Sequence, residues 1–343
     1  MKEIKTREEP GETSAIPSSL WAAFFEGNRQ ACARLITRVE NDPSVIPQVR
    51  DMLAGRQGKA VRVGITGPPG VGKSTLTAAV AHGMAEAGHR IGIIAVDPTS
   101  PFTGGAFMGD RIRMDGLVGD QRIYIRSLAS REGHGGLSPA TPNVADVLEG
   151  FGMDRILIET VGVGQAELDV LSCTDIVLLV LQPSTGDAIQ TMKAGIIEAA
   201  DLIVVNKSDL PGVDTVLQSL RFLFSLGGPL REGGKEERGK RKGPPPVIAA
   251  SAQQTLGIDK VVLEIEKLTA TLVESGKHRE LRQARLEEEI RSAIQKHLWE
   301  TYDALANSAP AIEKKAAELA ESGKSPYPYI REVCSKIDIE VQE

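Results

Sequence analysis

The segment TGPPGVGKST at 66–75 follows the β-branched run VRVGI and precedes the alanine-rich stretch LTAAVAHGMAEAG. Gly67, Gly72, Lys73 and Ser74 satisfy the pattern GxxxxGK[ST], and the flanks read as strand before and helix after. A chain with this unit must form a loop whose backbone N–H groups converge on an anion at a helix N-terminus, where the peptide dipoles add positive potential. Gly67, Pro68, Pro69, Gly70, Val71, Gly72, Lys73, Ser74 and Thr75 are therefore the candidate phosphate-binding residues. Lys73 is suited to bridge β- and γ-phosphate oxygens, and the Ser74 hydroxyl to face Mg2+.

From residue 61 short apolar runs alternate with amphipathic segments. Strands are expected at 61–65, 91–96, 123–125, 156–158, 176–181, 202–205 and 247–249, with helices at about 73–87, 143–151, 187–199, 213–225 and 257–275. Runs of this length, predominantly apolar and β-branched, belong to strands buried on both faces. The fold class is thus α/β, a P-loop NTPase with a doubly wound, mostly parallel sheet, whose ligand crevice lies at the carboxyl ends of the strands.

Each further motif falls just after such a run. AVDPTSPFTGG carries Asp97 and GDRIRM carries Asp110; either carboxylate can order a metal-bound or attacking water, or serve as an ordinary cap or turn residue. RILIETVGVGQ supplies Glu159 and, three residues on, Gly162, an acidic-then-glycine element that can hold magnesium through water and offer an N–H to a γ-phosphate. IVVNKSD supplies Asn206, Lys207 and Asp209. Asp209 can accept from guanine N1–H and the exocyclic amine, two donors that adenine does not offer there, while the Lys207 stem covers the base plane. A buried, desolvated carboxylate would reject adenine for want of those donors. AASAQ brings Ser251, Ala252 and Gln253 to the last strand end, where a backbone N–H can meet guanine O6.

The chain has 40 Lys and Arg against 46 Asp and Glu, a net charge of -6 that argues against binding nucleic acid by phosphate neutralisation. Cys32, Cys173 and Cys334 are isolated, so neither a disulfide framework nor a zinc site is expected. The charged start MKEIKTREEPGETS lacks the apolar stretch of a signal peptide, and no apolar run approaches membrane length; a cytoplasmic protein with no membrane or nucleic-acid partner is expected. Residues 1–16 read as a disordered lead and 17–58 as a helical unit broken at Pro43 and Pro47. The core occupies 59–276, and an amphipathic arm with Leu286, Ile290, Ile294 and Leu298 fills 277–343. That apolar stripe can be buried on the chain's own core or on a second copy. Within the core, 227–246 holds six glycines, four prolines and six Lys/Arg against three Glu; it reads as a solvated insertion or a contact for an acidic partner.

The blocks GPPGVGKST, VDPTSPFTGGAFMGDRIRM, ETVGVGQAE, QPSTGDAIQ, NKSD and SAQ, with the helical unit and arm, resemble the MeaB/ArgK family of P-loop GTPases over roughly residues 17–343. The resemblance implies a GTPase chaperone for an adenosylcobalamin-dependent acyl-CoA mutase, chiefly methylmalonyl-CoA mutase, with GTP or GDP bound together with Mg2+. It also implies a homodimer formed through the arms. By the same resemblance Lys73, Asp97, Glu159 and Gly162 carry hydrolysis, and Ser74, Asp97, Asp110 and Glu159 hold magnesium. Asp187 and Lys193 fall in the segment that signals to the mutase. Val163 follows Gly162 where many regulatory GTPases have a water-orienting Gln, and Gln165 lies two positions on, so slow intrinsic hydrolysis is expected. Three other readings are a metal-insertion GTPase, a transport-associated kinase or ATPase, and a noncatalytic nucleotide-gated scaffold. The first is disfavoured by five scattered histidines, each better read as a surface or packing residue, and the second by NKSD.

Overall fold

The computed structural model describes residues 15–98, 117, 119–130, 137–160, 166–185, 194–225, 243–306, 314–319 and 328. All seven expected runs are strands: β1 (Val61–Thr66), β2 (Ile91–Pro98), β3 (Ile123–Ser130), β4 (Arg155–Glu159), β5 (Ile176–Leu181), β6 (Leu202–Val205) and β7 (Val247–Ala249). They form one sheet in the order β3-β2-β4-β1-β5-β6-β7, every neighbouring pair parallel. β3 runs well past the expected 123–125, in register with β2 from Ile91↔Ile123 to Pro98↔Ser130. The polar residue that hid this extension, Arg126, is paired with Glu40. Its charge is thereby tolerated in a half-buried strand.

Helices α1 (Ser18–Phe25), α2 (Arg29–Asn41) and α3 (Ile46–Leu53) precede the sheet. α1 and α2, expected as one helical stretch, are separate: Gly27 takes φ +83°, and the Asn28 side chain accepts from the Gln30 and Ala31 amides to start α2 afresh. Pro47, expected as a breaker, sits in the first turn of α3, where its missing N–H costs nothing. Ile16, at the end of the expected lead, is buried, its amide donating to Gln48 Oε1.

Further helices are α4 (Lys73–Glu86), α5 (Thr141–Gly150), α6 (Ala166–Cys173), α7 (Ala194–Ala199), α8 (Val213–Ser225), α9 (Ile258–Glu274) and α10 (Lys277–Ala306), and residues 314–319 are helical as well. α6 was not anticipated from its eight short residues. It approaches β1 closely because residue 64 is glycine: a Cβ there would lie 2.5 Å from Val170 Cγ2. The expected helix at 187–199 is described only as α7; its earlier residues, with most of the insertion and Cys334, lie outside the described residues.

Strand residues alternate between the two faces with period two. Ile91, Ile93, Ile176, Leu178, Leu202 and Val204 pack with α4 and α9 residues such as Leu76, Val80, Val261 and Ile265. On the other face Ile94, Val96, Ile156 and Ile158 share a core with Trp21, Phe24, Leu35, Ile36 and Leu53 of the N-terminal helices. Fully burying a side chain of this size is worth roughly 1.5–3 kcal/mol, so α1–α3 are held by the same core that holds the sheet. Arg29 adds a clasp, donating to the Ile123 carbonyl at 2.7 Å and lying 5.0 Å over the Tyr124 ring.

The amino ends of the strands carry a buried ionic knot that the sequence reading did not anticipate. Arg62 of β1 donates to Asp146 Oδ1 at 2.7 Å, its backbone N–H donates to Asp175 Oδ2 at 2.8 Å, and Glu149 Oε2 lies 3.7 Å from the guanidinium. Burial works against the Arg62 charge, but the Asp146, Asp175 and Glu149 carboxylates outweigh it and hold the group above its ordinary pKa. Arg50 of α3 reaches Asp146 Oδ2 at 2.6 Å, and Glu149 Oε1 accepts from the Gly58, Lys59 and Ala60 amides. His278, at the start of α10, stands 3.2 Å from the Ala60 carbonyl and 3.7 Å from Asp175 Oδ2.

The chain divides into two compact units, Met1–Leu281 and Arg282–Glu343. In the second, Leu286, Ile290 and Ile294 recur every four residues along α10 and are about half exposed. Among the described residues no helix is long and apolar enough to cross a membrane.

Candidate nucleotide-binding site

At the carboxyl edge the sheet order lays the motifs side by side. β4 ends in Glu159, β1 runs into the glycine-rich loop, β5 delivers Gln182, β6 delivers Asn206–Asp209, and β7 leads to Ser251–Gln253. The loop's shape depends on glycine at two positions. A Cβ on Gly67 would lie 2.2 Å from the Val180 carbonyl oxygen, and one on Gly72, at φ +89°, would lie 2.7 Å from Asn206 Nδ2. Gly72 then opens α4, whose first residues are the buried Lys73 and Ser74.

The Lys73 ammonium donates to the loop's own carbonyls, Gly67 at 2.9 Å and Pro68 at 3.1 Å. Ser74 Oγ donates to Glu159 Oε1 at 2.6 Å, joining the loop to the acidic strand. Thr160 reinforces that junction: its amide donates to the Ile65 carbonyl at 3.1 Å, and its hydroxyl lies 3.2 Å from that of Thr66. Thr160 and Thr66 were not singled out from sequence; their signal was only their adjacency to Glu159 and Gly67.

Asn206, the first residue of the NKSD element, engages the protein backbone with both ends of its carboxamide. Its Nδ2 donates to the Val71 carbonyl at 2.9 Å, while its Oδ1 accepts from the Ala252 amide at 3.0 Å, so one buried amide ties the phosphate loop to the last strand's loop. The Ala252 N–H, a candidate donor to guanine O6, is engaged here by Asn206. Lys207 takes φ +56°, uncommon for a residue with a Cβ, and its ammonium donates to the Gly70 carbonyl at 2.6 Å and Gln182 Oε1 at 2.7 Å. Asp209 is exposed at the mouth of this loop. It is oriented by the buried Ser251, whose hydroxyl donates to Oδ1 at 2.5 Å.

Pro68, Pro69, Val71 and Gln253 lie on the same loops and Thr75 in the first turn of α4, with Pro69, Thr75 and Gln253 exposed and Val71 buried. Asp97 falls in β2, paired in register with Ala129 next to β4, but its side chain is outside the description. Gly162, Val163 and Gln165, like Asp110, Asp187 and Lys193, lie outside the described residues. Among the described residues no cluster of three or more His, Cys, Asp or Glu could hold a metal ion by itself.

Residues 32–307 match the family model described as methylmalonyl-CoA mutase-associated GTPase MeaB. The chain belongs to the MeaB family of GTPases. A Pyrococcus abyssi protein described as a GTPase is 43% identical to this MeaB-family chain over 270 residues, 78% of this chain and 81% of that one. The mitochondrial methylmalonic aciduria type A homolog of Mus musculus is 33% identical over 313 residues, covering 86% and 74%. A crystal structure described as LAO/AO transport system kinase superposes with a TM-score of 0.67 at 25% identity, over 94% of this chain and 99% of that one. It has the same P-loop NTPase fold. This MeaB-family protein is accordingly a GTP-hydrolysing enzyme with GTP and GDP as its bound nucleotides.

Proposed function

We propose that this GTPase serves as a chaperone for an adenosylcobalamin-dependent acyl-CoA mutase, with methylmalonyl-CoA mutase first among the partners. GTP binding and hydrolysis would gate cofactor loading and protect or reactivate the mutase. The observation carrying this reading is the family match, together with a site in which Asn206 physically joins the phosphate loop to the segment after β7. A triphosphate in the loop and a base beside Asp209 are then sensed by one connected backbone.

In our reading Gly67–Thr75 hold the phosphates, and Lys73 leaves the loop carbonyls to meet the β- and γ-oxygens. Ser74 and Glu159 fit a magnesium ion, since they offer hard oxygen donors on the two sides of a 2.6 Å contact; Asp97 and Asp110 are the further candidate carboxylates. The ion, once bound, would neutralise charge on the phosphate oxygens. Glu159 is followed directly by the glycine segment at 162, so loss of the γ-phosphate would be felt where that strand ends. We assign Asp187 and Lys193 to the segment that carries the signal to the mutase. The half-exposed Leu286, Ile290 and Ile294 support a homodimer formed through the 277–343 arm, with the 17–58 helices and 59–276 core forming the rest of each protomer.

Coupling of about 1–3 kcal/mol between nucleotide state and partner affinity corresponds to roughly 5–150-fold. Phosphate release should therefore be slow for the isolated protein and faster with added mutase, and the mutase should shift the affinity for a GTP analogue by the factor that the analogue shifts mutase binding. Fast turnover alone, unaffected by the mutase, overturns the chaperone reading.

Base choice offers a sharper test. Asp209→Asn replaces an acceptor-only group with one that can also donate, so it should lose guanine's amine contact and gain one to the C2 carbonyl of xanthine. GTP affinity is expected to fall by about 100-fold while XTP affinity rises, as an unpaired buried polar group costs on the order of 1–3 kcal/mol at each ring position. Competition between GDP and XDP measures it, and unchanged preference rules out Asp209 as the base selector.

A further inference from the structure

Lys207 is held more tightly than a base-covering side chain requires. A lysine tail carries about 2 kcal/mol of rotamer entropy, yet here the stem is pulled from a left-handed backbone position to two acceptors on separate strand ends. One is the Gly70 carbonyl of the phosphate loop. The other is Gln182 Oε1, from the residue that follows β5. β5 lies between β1 and β6 in the sheet, so Gln182 emerges between the phosphate loop and the NKSD loop. Its carboxamide oxygen is placed to receive the ammonium only while both loops hold their positions.

We infer that Gln182 is a positioning residue for the nucleotide: by accepting from Lys207 Nζ, it holds the lysine stem across the base pocket before guanine arrives. This rests on the reading that Lys207 covers the base. Gln182 would touch neither phosphate nor guanine, and its effect passes through Lys207. Ordering the stem in advance removes part of the entropy that binding would otherwise cost, so GDP and GTP, which share the base, gain equally. The Gln182 side chain is half-buried, which places the bond to the charged ammonium at the lower end of charge-assisted strength, about tenfold in affinity.

The full-length protein carrying Gln182→Ala should bind GDP and a nonhydrolysable GTP analogue about tenfold more weakly by calorimetry. The loss should appear in KM far more than in kcat. Magnesium tripolyphosphate, which has the phosphates and no base, should bind as it does to the unmodified protein. Gln182→Glu, which keeps an acceptor for the ammonium, should restore most of the affinity. Gln182→Met, which keeps the length and loses the acceptor, should behave as Gln182→Ala does and stands in for it if the alanine variant fails to fold. Equal weakening of tripolyphosphate would mean a general loosening of the site and overturns the inference, as would unchanged GDP affinity. Lys207→Met separates the two readings. If it weakens GDP while Gln182→Ala does not, only the role of Gln182 falls; if it leaves GDP affinity unchanged, the base-covering reading falls as well.

Discussion

Lys73→Ala should lower GTP turnover by on the order of 10²–10³-fold, because it removes a fixed positive charge from where negative charge grows during phosphoryl transfer. The side chain is already inside the loop, donating to the Gly67 and Pro68 carbonyls, and is only 8% exposed. A short shift of the ammonium exchanges those carbonyls for phosphate oxygens, so little reorganisation precedes the reaction. The alanine variant should also bind GDP more weakly if, as proposed, the ammonium meets the β-phosphate. Its thermal stability should change far less: the Asn206 Nδ2 bond to the Val71 carbonyl holds the loop whether or not the lysine is present. Phosphate release at saturating GTP, compared with the melting temperature of the same preparation, checks both halves. Retention of turnover within tenfold would remove Lys73 from the catalytic reading.

Arg62→Leu should produce the opposite profile. Removing the guanidinium leaves Asp146, Glu149 and Asp175 facing one another at the amino ends of the strands, with Arg50 as one remaining cation. Breaking a buried pair from one side costs about 3–5 kcal/mol, here expected as a fall in melting temperature of on the order of 10 °C. Glu149→Gln should cost less, because its amide oxygen can still accept from the Gly58, Lys59 and Ala60 N–H groups. Nucleotide affinity at low temperature should stay near that of the unmodified protein, since the knot lies at the opposite end of the strands from the phosphate loop. Differential scanning calorimetry with GDP titration below the transition tests this. A loss of GDP affinity in the folded Arg62→Leu protein would show that the two ends of the sheet are coupled.

These two sites differ in how much of them could be read from the chain alone. The phosphate loop was legible because its chemistry is local: glycine spacing, Lys73 and Ser74 act within one strand-loop-helix unit. The strands were legible for a similar reason, as buried parallel strands must be apolar on both faces and short. β3 was under-read because Arg126 looked like a terminator, and only Glu40 of α2 explains why it is not. α6 escaped because eight residues carry too little periodicity; what makes it fit is the absence of a side chain at Gly64, far away in sequence. The ionic knot had no signature at all, since Arg50, Arg62, the pair Asp146 and Glu149, Asp175 and His278 come from five separate places along the chain.

By itself the sequence determined that this chain has a phosphate loop on a parallel α/β sheet with an NKSD segment after its sixth strand, because each follows from residue types at short spacing. Tertiary structure decided what those residues do with one another. It made Asn206 a tie between two loops, gave Asp209 an orienting hydroxyl in Ser251, and set Gln182 against Lys207. The physical reason is the sheet order. Parallel strands adjacent in space are separated by whole helices in sequence, so contacts between their carboxyl ends exist only once β4, β1, β5, β6 and β7 lie side by side.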